Sequence, residues 1–318
     1  MKRALLVGID HYKTFNDLDG CVNDIVAVEP LISRHADGSP NFQCKTLRSN
    51  RDKVTRRELL KNIDLLLGGG PDVALFYFCG HGASAGGDAI LCTHDGDFVD
   101  QGIALSTLLG KVVASKAKEV VIILDCCYSG GAGGVPAMGN GGVALIREGV
   151  TLLTAARKDQ IAKETDDGRG VFSSLICAGL EGGAADVCGH VNAAGLYAYL
   201  SESLGAWEQR PTLKANLDEL HELRQCAPAV PIPDLRKLSK IFSAFDATLK
   251  LSPSYEPTAK PHNAKHEATF AILQRCRAAK LVEPVGVLHL YDAAMQSKSC
   301  RLTPLGQHYW RLANDGLL

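Results

Sequence analysis

Two short segments carry residues that could do chemistry together. Phe76-Tyr77-Phe78-Cys79-Gly80-His81-Gly82 and Leu124-Asp125-Cys126-Cys127-Tyr128-Ser129-Gly130 are apolar runs that end abruptly in a reactive side chain and glycine. One supplies an imidazole and the other, 46 residues later, a thiol. A thiolate attacks a carbonyl carbon far better than a thiol, so a catalytic cysteine needs an imidazole and a positive local field. The tetrahedral oxyanion needs backbone N–H groups that small residues leave open, a task suited to Gly82 and to the Cys127 amide. A lone strand-end histidine or a lone buried cysteine is most often structural. Both together, in glycine-flanked turns after separate apolar runs, point to a His81/Cys127 hydrolase centre.

Such a pair works only if the fold sets two strand ends side by side. Leu5–Ile9, Val73–Phe78, Val120–Leu124 and Val150–Leu153 are nearly unbroken apolar runs, as expected of strands buried on both faces. Ile25, Val28 and Ile32 follow at helical spacing after the first. Arg56–Leu67 places Leu59, Leu60, Ile63, Leu66 and Leu67 on one helical stripe. Thr55 and Glu58 ahead of it have capping-box spacing, in which each side chain takes the other's backbone N–H, and Gly68-Gly69-Gly70-Pro71 stops the helix. This alternation predicts an α/β fold with a mostly parallel central sheet and helices on both faces. The ligand crevice of such a sheet lies beyond the carboxyl ends of its strands, where Asp10, His81 and Cys127 all fall.

The histidine and cysteine segments resemble the corresponding boxes of the caspase-like peptidases, above all the metacaspase and bacterial caspase-like branch. The resemblance covers about residues 1–211 and implies a caspase-like three-layer sandwich. It makes His81 the general base and then general acid, and Cys127 rather than Cys126 the nucleophile. Gly20-Cys21-Val22-Asn23-Asp24 resembles the family's segment after the first strand, and Asp125 its pocket aspartate. It therefore implies a substrate-binding pocket lined by Cys21, Asp24, Cys79 and Asp125, with Cys79 standing where the family has serine. Two carboxylates in a partly desolvated pocket favour a cationic side chain, bidentate for arginine and a point charge for lysine. The expectation is cleavage after Arg or Lys, since the Gln-Ala-Cys box of aspartate-cleaving caspases is missing. Taken alone, Asp24 reads equally well as an acidic residue at a helix N-terminus. Calcium is common among metacaspases. Asp95-Gly96-Asp97-Phe98-Val99-Asp100 offers oxygen ligands but lacks an EF-hand pattern and reads more readily as a solvated turn, so calcium stays an open alternative without a specific motif. The His/Cys chemistry itself requires no cofactor, and no metal ligand is assigned.

The remaining features bound the reading. The chain has 318 residues, 46% hydrophobic content and a net charge of −1, ordinary values for a globular protein with a second, smaller unit. Residues 212–318 carry 14 Lys/Arg against 10 Asp/Glu, too slight an excess to imply nucleic acid. Eleven cysteines without CxxC pairs argue against a disulfide framework or a zinc ribbon, and no run approaches the ~18 apolar residues of a membrane span. A reduced cytoplasm fits. Seven glycines within residues 130–142 predict a mobile loop without the GxxxxGK[ST] phosphate pattern, and a polar loop spans 163–170. Arg147, Arg157, Lys158 and Arg169 are candidate self-cleavage positions in such loops. Prolines at 228, 231, 233, 253, 257 and 261 mark residues 212–262 as a connecting region. Residues 263–318, with a Thr303-Pro304 helix start, read as a winged-helix-like module that regulates activation or recruits a partner. His262 and His266 lack the HExxH pattern and read as surface residues. The family suggests a bacterial stress, cell-death or defence role. Two rivals stand beside the peptidase: a non-proteolytic scaffold on the same fold whose end module binds nucleic acid or protein, and a redox thiol protein using Cys126 and Cys127.

Overall fold

The computed structural model describes residues 1–126, 147–155, 168–204, 211–217 and 219–318. It divides into two compact units, residues 1–185 with 190–226, and residues 186–189 with 227–318.

The first unit runs β1 (Lys2–Gly8), α1 (Cys21–Ser33), β2 (Gln43–Arg48), α2 (Arg56–Leu67), β3 (Val73–Cys79), β4 (Gly82–Ala85), β5 (Asp88–Cys92), β6 (Gly102–Ala104), α3 (Leu105–Ala114), β7 (Glu119–Asp125), β8 (Val150–Thr154), α4 (Val171–Ala178), β9 (His190–Asn192), α5 (Ala193–Ser203), β10 (Thr212–Asn216) and β11 (Glu222–Gln225). Six strands form the main sheet in the order β10-β8-β7-β3-β1-β2. All neighbours pair in parallel except β10, which runs antiparallel to β8. β3 and β7 are buried along their whole length, as their unbroken apolar sequences require. The strand periodicity of two sends their side chains into two separate cores. One holds Phe76, Phe78, Leu124 and Cys126 with Tyr12, α2 and α3; the other holds Tyr77, Cys79 and Ile123 with α1, α4 and α5. The expected mostly parallel α/β sandwich is thus the observed one.

Local signals met mixed outcomes. Thr55 caps α2 by accepting the Glu58 N–H at 3.2 Å, but the reciprocal half of the capping box is not made. The Glu58 carboxylate accepts instead from Asn62 Nδ2 at 2.9 Å, one helical turn on. The boundary drawn after residue 211 falls too early. Thr212–Asn216 is half-exposed and only weakly patterned, yet it completes the edge of the main sheet, and the first unit reaches Cys226. Arg147 is held by backbone rather than presented in a loop: its guanidinium donates to the Val112 and Ala117 carbonyls at 3.0 and 2.7 Å. The glycine-rich stretch 130–142, Arg157 and Lys158 lie outside the described residues.

The second unit has a core of its own, built on Leu235, Leu238, Phe242, Phe270, Leu273 and Leu302. Its elements are α6 (Ile232–Leu235), α7 (Leu238–Ile241), β12 (Thr248–Lys250), α8 (Ala264–Ala278), β13 (Val282–Val285), α9 (Leu290–Met295), β14 (Ser299–Leu302) and α10 (Pro304–Asn314). The proline-rich stretch is therefore not a connector from residue 227 onward: Leu235, Leu238, Phe242 and Leu251 are core residues. Beside the three helices α8, α9 and α10, β12, β14 and β13 form an antiparallel sheet in that order. Thr303 caps α10 as its sequence predicts, accepting the Gly306 N–H at 3.1 Å. His266 is not a plain surface residue, since its ring stacks 4.2 Å from Tyr255 and bonds Ser254 Oγ at 2.8 Å. His262 is exposed and pairs with Glu267.

Candidate active site

The register of β3 and β7 sets the frame. These adjacent central strands pair Cys79 with Asp125, so His81 and Cys127 each lie two residues beyond the same rung. Cys127 itself, with its backbone amide, falls outside the described residues. Cys126 is 1% exposed and turned into the core beside Leu124, as a small hydrophobe would be, which leaves it poorly placed to meet a substrate.

His81 is fixed from three sides. Gly80 before it must be glycine, because a Cβ there would lie 2.6 Å from the Tyr12 hydroxyl. That hydroxyl accepts the His81 backbone N–H at 2.7 Å, and the Tyr12 ring lies 4.8 Å from the imidazole. His81 Nε2 meets the Asn16 carbonyl at 2.7 Å. A carbonyl only accepts, so Nε2 carries a proton, and Nδ1 is the nitrogen left to exchange one. Such a ring takes a proton at Nδ1 while Nε2–H holds it in place. Gly82 follows as the first residue of β4, half-exposed.

On the opposite face of the sheet lies an acidic cluster. Asp24, from the first turn of α1, and Asp125, the last residue of β7, are each 2% exposed. Asp24 Oδ1 accepts the Gly170 N–H at 3.1 Å and Oδ2 accepts from Cys79 Sγ at 3.4 Å. Burial, and then the neighbouring Asp125 charge, pushes Asp24 up to about 7. Asp125 accepts from Ser173 Oγ at 2.7 Å, and Ser173 in turn bonds the buried Tyr77 hydroxyl at 2.5 Å. The hydrogen bond between Cys21 and Cys79 pushes the Cys79 thiol up and opposes the rise at Cys21; burial and then the nearby carboxylates push both thiols up. All four expected pocket residues, Cys21, Asp24, Cys79 and Asp125, therefore belong to one cluster.

Some expectations fall elsewhere. Asp10, though just past β1, does not face the crevice chemistry; its carboxylate accepts the Cys21 and Val22 N–H groups at 2.8 and 3.2 Å. It caps α1, whose N-cap residue Gly20 has no side chain to do so, and so positions the helix that carries Asp24. In the acidic turn at 95–100, Asp95 accepts from the Arg56 N–H, Asp97 from the Val99 and Asp100 N–H groups, and Asp100 pairs with Arg56. These carboxylates hold the turn. Among the described residues, Asp24, Cys79 and Asp125 are the group whose ligand atoms lie close enough together, within 4.8 Å of one another, that they could hold a metal ion. Sequence reasoning missed Tyr12, Ser173 and Tyr77. Ser173 alone left a signal, as one of two adjacent hydroxyls on an otherwise apolar helix.

Fold and site together define an α/β domain with a histidine turn and a buried pair of carboxylates at the carboxyl edge of a mostly parallel sheet. The chain belongs to the caspase-domain family, whose family model matches residues 1–220. Among curated proteins it is similar to metacaspase-2 of Trypanosoma brucei brucei, 29% identical over 48% of this chain and 51% of that one. It is also similar to metacaspase-1 of Schizosaccharomyces pombe, 26% identical over 42% and 35%. The chain spans about half the length of the first of these relatives. Caspase-1 from Spodoptera frugiperda shares the fold, with a TM-score of 0.50 at 13% identity over 71% of this chain and 90% of that one. Among the described residues no helix is long and apolar enough to cross a membrane.

Proposed function

We propose that the chain is a cysteine endopeptidase that cleaves protein substrates after Arg or Lys. The buried Asp24–Asp125 pair, with Asp125 two residues before Cys127 in the sequence, carries this reading. A guanidinium entering the pocket meets two desolvated carboxylates, and its charge relieves their mutual repulsion. His81 Nδ1 takes the Cys127 proton and the thiolate attacks the carbonyl carbon of the bound Arg or Lys. The oxyanion is held by backbone N–H groups at Gly82 and Cys127. The peptide C–N bond breaks as His81 returns the proton to the departing amine, leaving a thioester. Water, deprotonated by His81, then hydrolyses it and restores the thiol. No metal or cofactor enters these steps. The second unit serves as a regulatory or partner-binding module.

Fluorogenic peptides test the specificity. A peptidyl-arginine substrate is expected to give a kcat/KM at least 100-fold above its peptidyl-aspartate counterpart, with calcium present and absent. Equal rates, or a preference for Asp, would overturn the acidic-pocket reading.

The position of Asp24 also gives a pH dependence. A cation binds its ionised form, so as pH falls below about 7 the carboxylate is increasingly neutral. Binding of N-acetyl-arginine amide to a Cys127→Ala variant should weaken toward tenfold per pH unit below that value and level off above it. Calorimetric titration from pH 5.5 to 8.5 reads this without any catalytic step.

A further inference from the structure

The substrate's departing side has a surface of its own. His81 does not face the acidic cluster's core; its ring packs on Tyr12 and lies 6.3 Å from Phe15, on the other face of the sheet. Phe15 continues the row, with the Phe98 ring 6.2 Å further on and edge-on to it. Phe98 and its neighbour Val99 are 79% and 96% exposed, among the most exposed large hydrophobic residues of the chain. They rim a cleft of about 400 Å³ against Ala85 and Ile90 of the hairpin that begins right after His81. The charged residues of its wall, Arg56 and Asp100, are paired with each other. Ser84 and Gln101 add polar groups to this wall, so the cleft offers mixed contact, with Phe98, Val99, Ala85 and Ile90 as its apolar part and no unbalanced charge.

From this we infer a substrate-binding cleft for an apolar side chain in the first three residues after the scissile bond, with Phe98 as its main specificity-determining residue. The inference rests on the peptidase reading for its direction. With the Arg or Lys side chain in the Asp24–Asp125 cluster on one face, the peptide crosses the carboxyl edge of the sheet at His81. The departing segment then continues over the other face, where the aromatic row lies. Two ring-to-ring steps of just over 6 Å match about three to four residues of extended peptide at ~3.3 Å each. Aromatic side chains exposed beside such a path are binding surface at little entropic cost, because their rotamers are few.

Equilibrium binding separates this cleft from the acidic pocket. The full chain carrying Cys127→Ala is titrated with fluorescent peptides that vary Arg against Asp before the scissile bond and Leu against Asp at the three positions after it. Leu is expected to tighten binding at least fivefold at one or more of these positions. In Phe98→Ser, and separately in Val99→Ser, that gain should fall to less than twofold; both sites are exposed, so folding is not at issue. A gain below twofold at all three positions, or one unchanged by both substitutions, overturns the cleft. Dependence on Leu and Phe98 without dependence on Arg leaves the cleft standing and removes the acidic-pocket reading; the reverse pattern does the opposite.

Discussion

Replacing His81 with alanine should lower kcat/KM on a peptidyl-arginine substrate by about 10³, the middle of the range for loss of a general acid–base group. The reason is the fixed tautomer. With Nε2–H committed to the Asn16 carbonyl at 2.7 Å, the proposed mechanism uses Nδ1 to take the Cys127 proton and return it to the departing amine. Alanine removes both transfers. Cys127→Ala should remove turnover altogether, and the double variant should be no worse than Cys127→Ala, since groups that act as one unit are not additive. Cys126→Ala separates nucleophile from neighbour. It truncates a buried side chain at the end of β7, so some stability is lost while cleavage persists. Activity that survives Cys127→Ala but vanishes with Cys126→Ala would reverse the assignment, and the redox alternative would regain force.

The sequence carried the central frame because its signals are local. β1, β3, β7 and β8 are continuous apolar runs, buried on both faces, and such runs announce themselves. The pocket residues were readable through the resemblance, whose motifs fix Asp24 and Asp125 by position. What escaped was non-local. Tyr12 lies 69 residues from His81, and nothing in its neighbourhood says that its hydroxyl will take the His81 amide and demand glycine at 80. Asp10 sat at a strand end like the candidate site residues, but helix α1, starting at a glycine, claims its carboxylate as a cap. β10 was missed because an edge strand with one wet face has little apolar content to reveal it. Composition misled in the opposite direction after residue 226, where prolines suggested a connector and the chain instead folds around Leu235, Leu238 and Phe242.

If the acidic cluster is the proposed cation pocket, it sets stability against specificity, and one substitution exposes the conflict. Asp24→Asn keeps the shape and an oxygen able to accept the Gly170 N–H, but removes the charge. Losing one of two buried carboxylates should cost a bound arginine about 3 kcal/mol, or roughly two orders of magnitude in kcat/KM, as for truncation of a buried charge-assisted pair. The same change should stabilise the fold. Asp24 is raised from an ordinary 3.8 to about 7, chiefly by burial, so the folded state holds its proton more tightly than the unfolded chain does. The stability this contributes is full below the unfolded value and is lost as pH rises from about 4 through about 7. Above pH 7 the folded protein carries a buried carboxylate beside Asp125 at a cost on the order of 4 kcal/mol. Asparagine removes most of that cost, so the variant should melt about 5–10 °C above wild type at pH 8 and nearly level with it at pH 4. Differential scanning calorimetry at the two pH values, paired with peptidyl-arginine kinetics, reads both effects. If Asp24→Asn lost stability at pH 8, the carboxylate would be a structural anchor. The gain predicted here follows only if that buried charge is maintained against the fold's own preference, which is what a pocket built for a cation requires.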